Sequence, residues 1–467
     1  MGRKRRNPVL EEVEIIDIAA EGKAIGKHND MVVFVPQVIP GDVVDIQVTR
    51  KRKKYMEGKA TKFHKYSNDR TEAFCNHFGI CGGCKWQMLP YDKQLAYKQK
   101  QVDDNLSRIG KANTFTTLDI AASDFQKEYR NKLEFTFSAC RWLTDEEISV
   151  EGELDRSAAG FHVPGRFDRV IDIDQCYLQA SPSNEIRNSL NKFCRENKYE
   201  YYHHKDHTGF LRNLIIRNSD YGEIMVIVVF AQNKPEDIEK CMSHLKAAFP
   251  EIDALLYVIN TKLNDTIHDQ DVMVYHGKDH IIELLGDKRY KIGPKSFFQT
   301  NSKQAKRLYD ITVDFADFNE HEVVYDLYTG TGSIANYIAP KVSKVVGIEY
   351  VPEAIEDAFV NAEINRINNV DFYAGDMKDV LNEAFIGKHG KPDTIITDPP
   401  RAGMHADVVD VILKTDANKI VYVSCNPATQ SRDIQLLSEK YELVKVQAVD
   451  MFPHTHHVES VALLVKN

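Results

Sequence analysis

Asp326-Leu327-Tyr328-Thr329-Gly330-Thr331-Gly332-Ser333 closes a short apolar strand and opens a helical pattern. Two glycines at such a turn let the backbone approach a ligand, while the first N–H groups of the helix face it. Alone the pattern is weak, because many strand–helix turns carry two glycines. Its surroundings strengthen it. One strand later, Val345-Val346-Gly347-Ile348 ends in Glu349, a station from which a carboxylate can accept hydrogen bonds from both hydroxyls of a ribose. Asp376 follows the third strand, and Asp398-Pro399-Pro400-Arg401 follows the fourth.

Outward from that turn the chain alternates regularly. Val323–Leu327, Val345–Glu349, Asp371–Tyr373, Thr394–Asp398 and Ile420–Ser424 read as short buried strands. Helical patterns at Pro352–Arg366, Ala406–Leu413 and Ala428–Glu439 lie between them. This succession implies an α/β fold, a doubly wound sheet with helices on both faces and its cleft at the carboxyl ends of the strands. The fifth strand runs into Val423-Ser424-Cys425-Asn426-Pro427-Ala428-Thr429. A lone cysteine is usually a small buried hydrophobe. Here Asn-Pro stops the strand and presents Cys425 at the cleft mouth. Downstream, Asp450-Met451-Phe452-Pro453-His454-Thr455-His456-His457-Val458-Glu459-Ser460 supplies Glu459 as a candidate general base beside it. The three histidines of that segment suggest a metal, but neighbours in one loop do not readily face one ion. A nicotinamide enzyme would share the glycine turn and Glu349, yet leave the Asp-Pro-Pro-Arg turn and Cys425 without a role.

The remainder of the 467 residues is enough for two to four domains. Residues 11–63 alternate as short strands, among them Val13–Ile18, Met31–Val35 and Val43–Thr49, broken by glycine and proline turns. A small β-barrel is expected. Residues 91–109 read as a charged amphipathic helix, and residues 125–290 are strand-rich, clearest at Lys132–Ala139, Asn213–Asn218 and Glu223–Ala231. The longest apolar run, Ile224–Ala231, is far short of the ~20 residues of a membrane helix. Arg3-Lys4-Arg5-Arg6 is followed by mixed sequence instead of an apolar stretch, so no membrane and a cytoplasmic location are expected. The net charge of −9 conceals an asymmetry: residues 1–66 hold 14 Lys or Arg against 9 Asp or Glu. The clusters Arg3–Arg6 and Arg50–Lys54 suit phosphate contact, although each could be a solvated face.

Eight cysteines in a reducing compartment argue against a disulfide framework. Cys75, Cys81 and Cys84 form C-x5-C-x2-C around Gly82-Gly83, three soft ligands suited to an iron–sulfur cluster or a structural zinc. Cys176 is the candidate fourth ligand; Cys140, Cys194 and Cys241 read as core residues.

Two resemblances draw these readings together. Ala24-Ile25-Gly26, Val33-Phe34-Val35-Pro36 and Ile39-Pro40-Gly41-Asp42 resemble the TRAM domain, an OB-like barrel of RNA-modifying enzymes. Ser424–Thr429, Asp450–Thr455, Glu459-Ser460 and Phe298-Gln299-Thr300-Asn301 together resemble the RNA uracil-5 methyltransferase family, over essentially the whole chain. That resemblance implies a class I, Rossmann-like methyltransferase fold for the C-terminal part and S-adenosylmethionine as cofactor. It implies Cys425 as nucleophile, Glu459 as base, and Gln299, Tyr328, Ser333, Glu349, Asp376 and Asp398 at cofactor-binding positions. Ser333 and Asp376 each stand where asparagine is usual in the family. In the ribosomal-RNA subfamily a C-x5-C-x2-C…C arrangement holds a [4Fe-4S] cluster, here Cys75, Cys81, Cys84 and Cys176. The gap to Cys176 is longer than usual, which an acidic insertion around Leu143–Arg156 accounts for. The expectation is therefore a TRAM barrel (1–66), a central β-rich iron–sulfur and RNA-binding domain (67–290, with helix 91–110 able to pack on the catalytic part) and a methyltransferase domain (291–467). Tyr129-Arg130-Asn131-Lys132 and Leu211-Arg212-Asn213 resemble motifs lining the RNA groove. The expected partner is 23S ribosomal RNA, with transfer RNA the alternative, acted on by a monomer. An RNA-binding module without catalysis would not need Cys425 and Glu459.

Overall fold

Val44, Ile46 and Val48 alternate with polar neighbours along one strand, and their side chains meet those of Leu10, Val13, Ile15, Val33 and Val35 in a closed core. A period of two gives each strand one apolar face, and closing the sheet on itself removes its edges. Strands β1 (Val9–Ile18), β2 (Ala24–His28), β3 (Met31–Val35), β4 (Val43–Lys51) and β5 (Tyr55–Lys65) close in the order β1-β2-β3-β5-β4. Arg50–Lys54 sit exposed at the tip joining β4 to β5. The structure, a computed structural model, describes residues 7–112, 114–149, 152 and 154–467. The basic cluster Arg3–Arg6 lies outside the described residues, as do Val150, Glu151 and Glu153 of the acidic insertion.

The helix Tyr91–Arg108 buries Gln94, Lys98, Val102 and Leu106, a stripe at spacing four that is polar at one end and apolar at the other. It packs on the helix Pro427–Leu437, and strand β6 (Thr116–Ala121) pairs in parallel with β21 (Tyr441–Val449). Residues 91–121, within the segment 67–290 expected to form a middle domain, therefore lie in the C-terminal layer. Strand β6 is a six-residue sheet edge in which only Ala121 is buried, so its Leu118/Ile120 alternation is too brief to read as a strand.

Seven strands form the middle sheet: β7 (Lys132–Ser138), β8 (Ala158–Val163), β9 (Arg166–Asp172), β10 (Leu211–Asn218), β11 (Ile224–Phe230), β12 (Ala254–Ile259) and β13 (Val272–Gly277). Their order is β13-β12-β11-β10-β7-β8-β9. The uninterrupted apolar run has a plain cause: β11 is buried on both faces. Val226, Val228 and Phe230 pack toward the helices Ser183–Glu196 and Pro235–Ala248. Met225, Ile227 and Val229 pack into a core shared with Leu308, Phe315 and Val423.

After the hairpin β14 (Ile281–Leu285) and β15 (Lys288–Ile292), the chain builds the doubly wound layer. Strands β16 (Val323–Leu327), β17 (Lys344–Glu349), β18 (Val370–Ala374), β19 (Thr394–Thr397) and β20 (Lys419–Ser424) are parallel, and β22 (Glu459–Lys466) runs antiparallel between β20 and β21. The order β18-β17-β16-β19-β20-β22-β21-β6 puts its switch point between β16 and β19, where the strand ends diverge and a crevice opens. Among the described residues, no helix is long and apolar enough to cross a membrane.

Candidate active site

Tyr328, Gly330 and Gly332 all hold left-handed backbone, with φ of 63°, 55° and 73°, so the chain reverses sharply between β16 and the helix Ser333–Ile338. The two glycines serve different ends. A side chain at Gly332 would press on Ala358, Phe372 and Asn336 at 2.9–3.0 Å, whereas at Gly330 it would meet nothing within 4 Å. Gly332 seats the helix, and Gly330 faces open space. Glu349 at the end of β17 accepts from the Gly330 N–H (3.1 Å) and the Val351 N–H (3.0 Å). Ser333 Oγ shares a hydrogen bond with the Tyr309 hydroxyl (2.8 Å), and Tyr290 donates to the Ser333 carbonyl (3.0 Å). Asp376 caps the Lys378 N–H (3.3 Å) and pairs with its ammonium group. Gln299, half-buried, lies just before Asn301, which caps the helix Ser302–Ala316.

Cys425 and Glu459 are brought together by strand register. Ser424 pairs with Ser460 across β20 and β22, so the next residue along β20, Cys425, stands across from Glu459. Asn426 holds the turn: its side chain accepts from the Ala428 N–H (3.1 Å) and donates to the Arg401 carbonyl (2.9 Å). The Asp-Pro-Pro-Arg turn is thereby tied to the cysteine loop. Burial pushes the Glu459 carboxyl up to about 8, reinforced by Asp398 and opposed by Arg401. Burial, then Asp326, raises Asp398 to about 7; burial also raises Asp326 itself to about 7. The Cys425 thiol is raised to about 11 by burial and by the nearby carboxylates, with Arg401 opposing. Glu459, Asp398, Asp326 and Cys425 are thus all shifted upward, with burial the largest cause at each.

The loop carrying Glu459 is clamped by residues of the quoted motifs together with Lys98 and Tyr91, which no motif marks. Asp450 and Lys98, both fully buried, pair at 2.6 Å. Tyr91 donates to Asp450 (2.9 Å), and Lys98 donates to the Phe452 carbonyl (3.1 Å). Tyr129 donates to the Pro453 carbonyl (2.9 Å), and Asn301 to that of Met451 (2.9 Å). Asn131 donates to the Gln299 carbonyl (3.0 Å) and to Ser302 (2.7 Å), fixing the segment before the Asn301 cap. No sequence signal marks Lys98 or Tyr91; only the odd polar end of the helix stripe hinted at a partner.

Cys75, Cys81, Cys84 and Cys176 line one cavity of about 190 Å³, together with His77, Gln87, Arg130 and Thr455. Burial raises all four thiols, Cys81 and Cys84 to about 12, and for those two the other cysteines add to the rise. Among the described residues, no three His, Cys, Asp or Glu side chains are gathered closely enough to hold a single ion. His454 faces Gln94, and the His456 and His457 rings lie 4.1 Å apart at a 38° tilt; among the described residues the three form no ligand set. Cys194 and Cys241 are buried core residues, as expected.

Arg212 corrects an expectation of RNA contact. It is 1% exposed, pairs with Asp265 (2.9 Å) and donates to the carbonyls of Asn260, Lys262 and Asn264. A guanidinium with four of its five N–H groups bonded inside the protein, and almost no exposed surface, is not presented to a phosphate. Arg130 differs: it is partly exposed, lies 4.8 Å from the Phe452 ring and borders the cysteine cavity.

A switch-point cleft with a glycine turn, a cysteine facing a buried carboxylate and a barrel at the N-terminus together define an S-adenosylmethionine-dependent RNA methyltransferase. Residues 220–467 match the tRNA (Uracil-5-)-methyltransferase family and residues 10–61 the TRAM domain. A protein of Bacteroides thetaiotaomicron described as an uncharacterized RNA methyltransferase is 57% identical, over 96% of this chain and 99% of its own. One from Porphyromonas gingivalis, described likewise, is 50% identical over 97% of this chain and 100% of its own. Among solved structures, the Pyrococcus abyssi tRNA (uracil-54, C5)-methyltransferase in complex with S-adenosyl-L-homocysteine is similar with a TM-score of 0.75 and 29% identity. That match covers 97% of this chain and 100% of the other. The chain belongs to the tRNA (uracil-5-)-methyltransferase family.

Lys98→Ala is expected to cost about 3–5 kcal/mol, since it leaves Asp450 buried and unpaired. Urea denaturation of the variant measures this, and a loss below about 1 kcal/mol would show the pair to be dispensable.

Proposed function

We propose that this protein methylates carbon 5 of a uridine in 23S ribosomal RNA through a covalent adduct between Cys425 and carbon 6 of the uracil. The single observation that carries the reading is Cys425 standing across from Glu459 at the carboxyl end of β20. Carbon 5 of uracil is a poor nucleophile. The Cys425 thiol gives up its proton to solvent, and addition of the thiolate to carbon 6 turns the ring into an enolate and makes carbon 5 reactive. After methyl transfer Glu459 takes the carbon 5 proton, and the carbon–sulfur bond breaks by elimination. A carboxyl raised to about 8 is a strong enough base for that proton while ionising near neutral pH.

The residues present fit the cofactor. Gly330 leaves open space, Glu349 closes the turn, and the Asp326, Asp398 and Glu459 carboxyls gather negative potential in the cleft. S-adenosylmethionine bound there supplies a methyl group on a cationic sulfur. Gln299, Tyr328, Ser333, Glu349, Asp376 and Asp398 would hold it. The geometry supports Glu349 most directly, and Asp376 least, because its carboxylate already pairs with Lys378.

The four thiols fit a [4Fe-4S] cluster better than zinc. The cavity between them is roomier than one ion requires. Such a cluster, ligated by four cysteines, would tie Cys176 to the Cys75–Cys84 loop. It also supports the ribosomal reading, because the arrangement resembles that subfamily. The second reading, transfer RNA, is favoured by the Pyrococcus enzyme.

With S-adenosylmethionine present, an RNA carrying 5-fluorouridine at the target should remain covalently attached to the protein, since no carbon 5 proton can leave. Cys425→Ala should form no adduct. On ordinary RNA, release of product should accelerate as pH rises through about 8, where Glu459 ionises, and Glu459→Gln should stall as the methylated adduct. A fully active Cys425→Ala would sink the covalent reading.

Nucleoside mass spectrometry of RNA from cells with and without the gene decides the substrate. Loss of 5-methyluridine from 23S ribosomal RNA is expected; loss from transfer RNA alone would establish the second reading instead.

Protein purified without oxygen should contain about four iron and four acid-labile sulfide per chain, and Cys81→Ser should lose most of both. Stoichiometric zinc in place of iron would refute the cluster.

A further inference from the structure

Where β5 leaves the barrel, Phe63 and Tyr66 stack face to face, with ring centroids 4.7 Å apart and planes 14° from parallel. Phe63 rests against the barrel core, whereas Tyr66 is 60% exposed. The outer face of Tyr66 is open to solvent. This pair is also held in place. The Arg70 guanidinium lies 5.3 Å from the Phe63 centroid and 5.5 Å from that of Tyr66. Near-equal distances to two stacked rings put it at the flank of the stack, not on the outer face of Tyr66.

Arg70 is anchored by Asp42, a fully buried carboxylate of the Pro40-Gly41-Asp42 turn, at 2.6 Å. The same carboxylate accepts from the Ser67 N–H (2.9 Å) and the Ile39 N–H (2.8 Å). The backbone that carries Tyr66 is therefore preset. The outward residues of β5 include Lys59, Lys62 and Lys65, all exposed, in the part of the chain whose charge is positive.

We propose that the outer face of Tyr66, backed by Phe63 and flanked by Arg70, is a stacking shelf for one unpaired base of the RNA substrate, with β5 lysines facing the neighbouring phosphates. A rigid aromatic face beside cations is what a single strand needs: stacking accepts any base, and the lysines contact the backbone. The shelf rests on the RNA-methylation reading but lies apart from the cleft, so it affects binding of the strand and not the chemistry on uracil.

The test is equilibrium binding of a short single-stranded RNA, with 2-aminopurine placed along it, to the full chain and to Tyr66→Ala, Tyr66→Trp and Lys62→Gln. Tyr66→Ala should bind about 5- to 100-fold more weakly. Its melting temperature, its dependence on salt and its turnover at saturating RNA should be unchanged. Tyr66→Trp should restore binding and quench 2-aminopurine at one position, and Lys62→Gln should lower the salt dependence. Unchanged affinity in Tyr66→Ala, or failure of Tyr66→Trp to restore it, would overturn the shelf. Failure of the wild-type protein to trap 5-fluorouridine RNA would instead overturn the methylation reading, which the binding assay does not touch.

Discussion

The buried pair of Lys98 and Asp450 is the constraint on which the arrangement of the site depends. Both side chains are fully buried, so neither could remain charged there without the other. Burial pulls the Lys98 ammonium down from its ordinary value, and Asp450 pulls it back. The remaining polar capacity is used: Asp450 accepts from Tyr91 and the Phe452 N–H, and Lys98 donates to the Phe452 carbonyl. Such a pair contributes less to stability than to geometry, because any other register of the loop would strand two charges. It fixes where the 450–458 loop begins, and β22 fixes where it ends at Glu459. A helix some 350 residues upstream thereby positions the carboxylate opposite Cys425. The same loop reaches the cysteine region, since the His454 carbonyl accepts from the N–H groups of Lys85 and Trp86, directly after Cys84.

Electrostatics in the cleft point in one direction. Asp326, Asp398 and Glu459 are all raised, first by burial and then each by a neighbouring carboxylate. Arg401 is the opposing charge named for both Glu459 and Cys425, and it is exposed. A pocket that gathers acids without matching bases is arranged for a positive charge supplied from outside. A sulfonium meets that need, and its arrival would favour the ionised forms of Glu459 and its neighbours. The high thiol value of Cys425 follows first from burial and then from Glu459 and Asp398, the carboxylates that suit the cofactor and oppose the thiolate. Activation of Cys425 is thus coupled to what occupies the cleft.

Much of this was legible in the sequence. The doubly wound strands were read to within about two residues, since parallel strands buried on both faces carry continuous apolar runs. Cys425 and Glu459 were legible because their motifs end one strand and begin another. Strand β6 and the clamp at Lys98 were not. An edge strand shows little periodicity, and a buried ion pair separated by 352 residues leaves no local trace. Arg212 was misread for a related reason. A basic residue in a strand looks the same in sequence whether it faces a groove or, as here, binds three carbonyls of a neighbouring loop. The difference lies in the partner loop, Asn260–Asp265, whose shape no motif announces.

Charge distribution links the barrel to the cleft. Residues 1–66 carry a net charge of +5 by their Lys, Arg, Asp and Glu content, while the whole chain carries −9. A catalytic layer tuned to attract a cationic cofactor repels a polyphosphate backbone, so the two requirements cannot be met on one surface. Separating them resolves the conflict: on the proposed reading the barrel, near neutral with 10 Lys or Arg against 9 Asp or Glu over residues 7–66, holds the strand, and one base alone enters the acidic cleft. Extruding a single base costs least when it is already unpaired. An acidic active site thereby favours a loop or single strand over a duplex, whichever RNA supplies it.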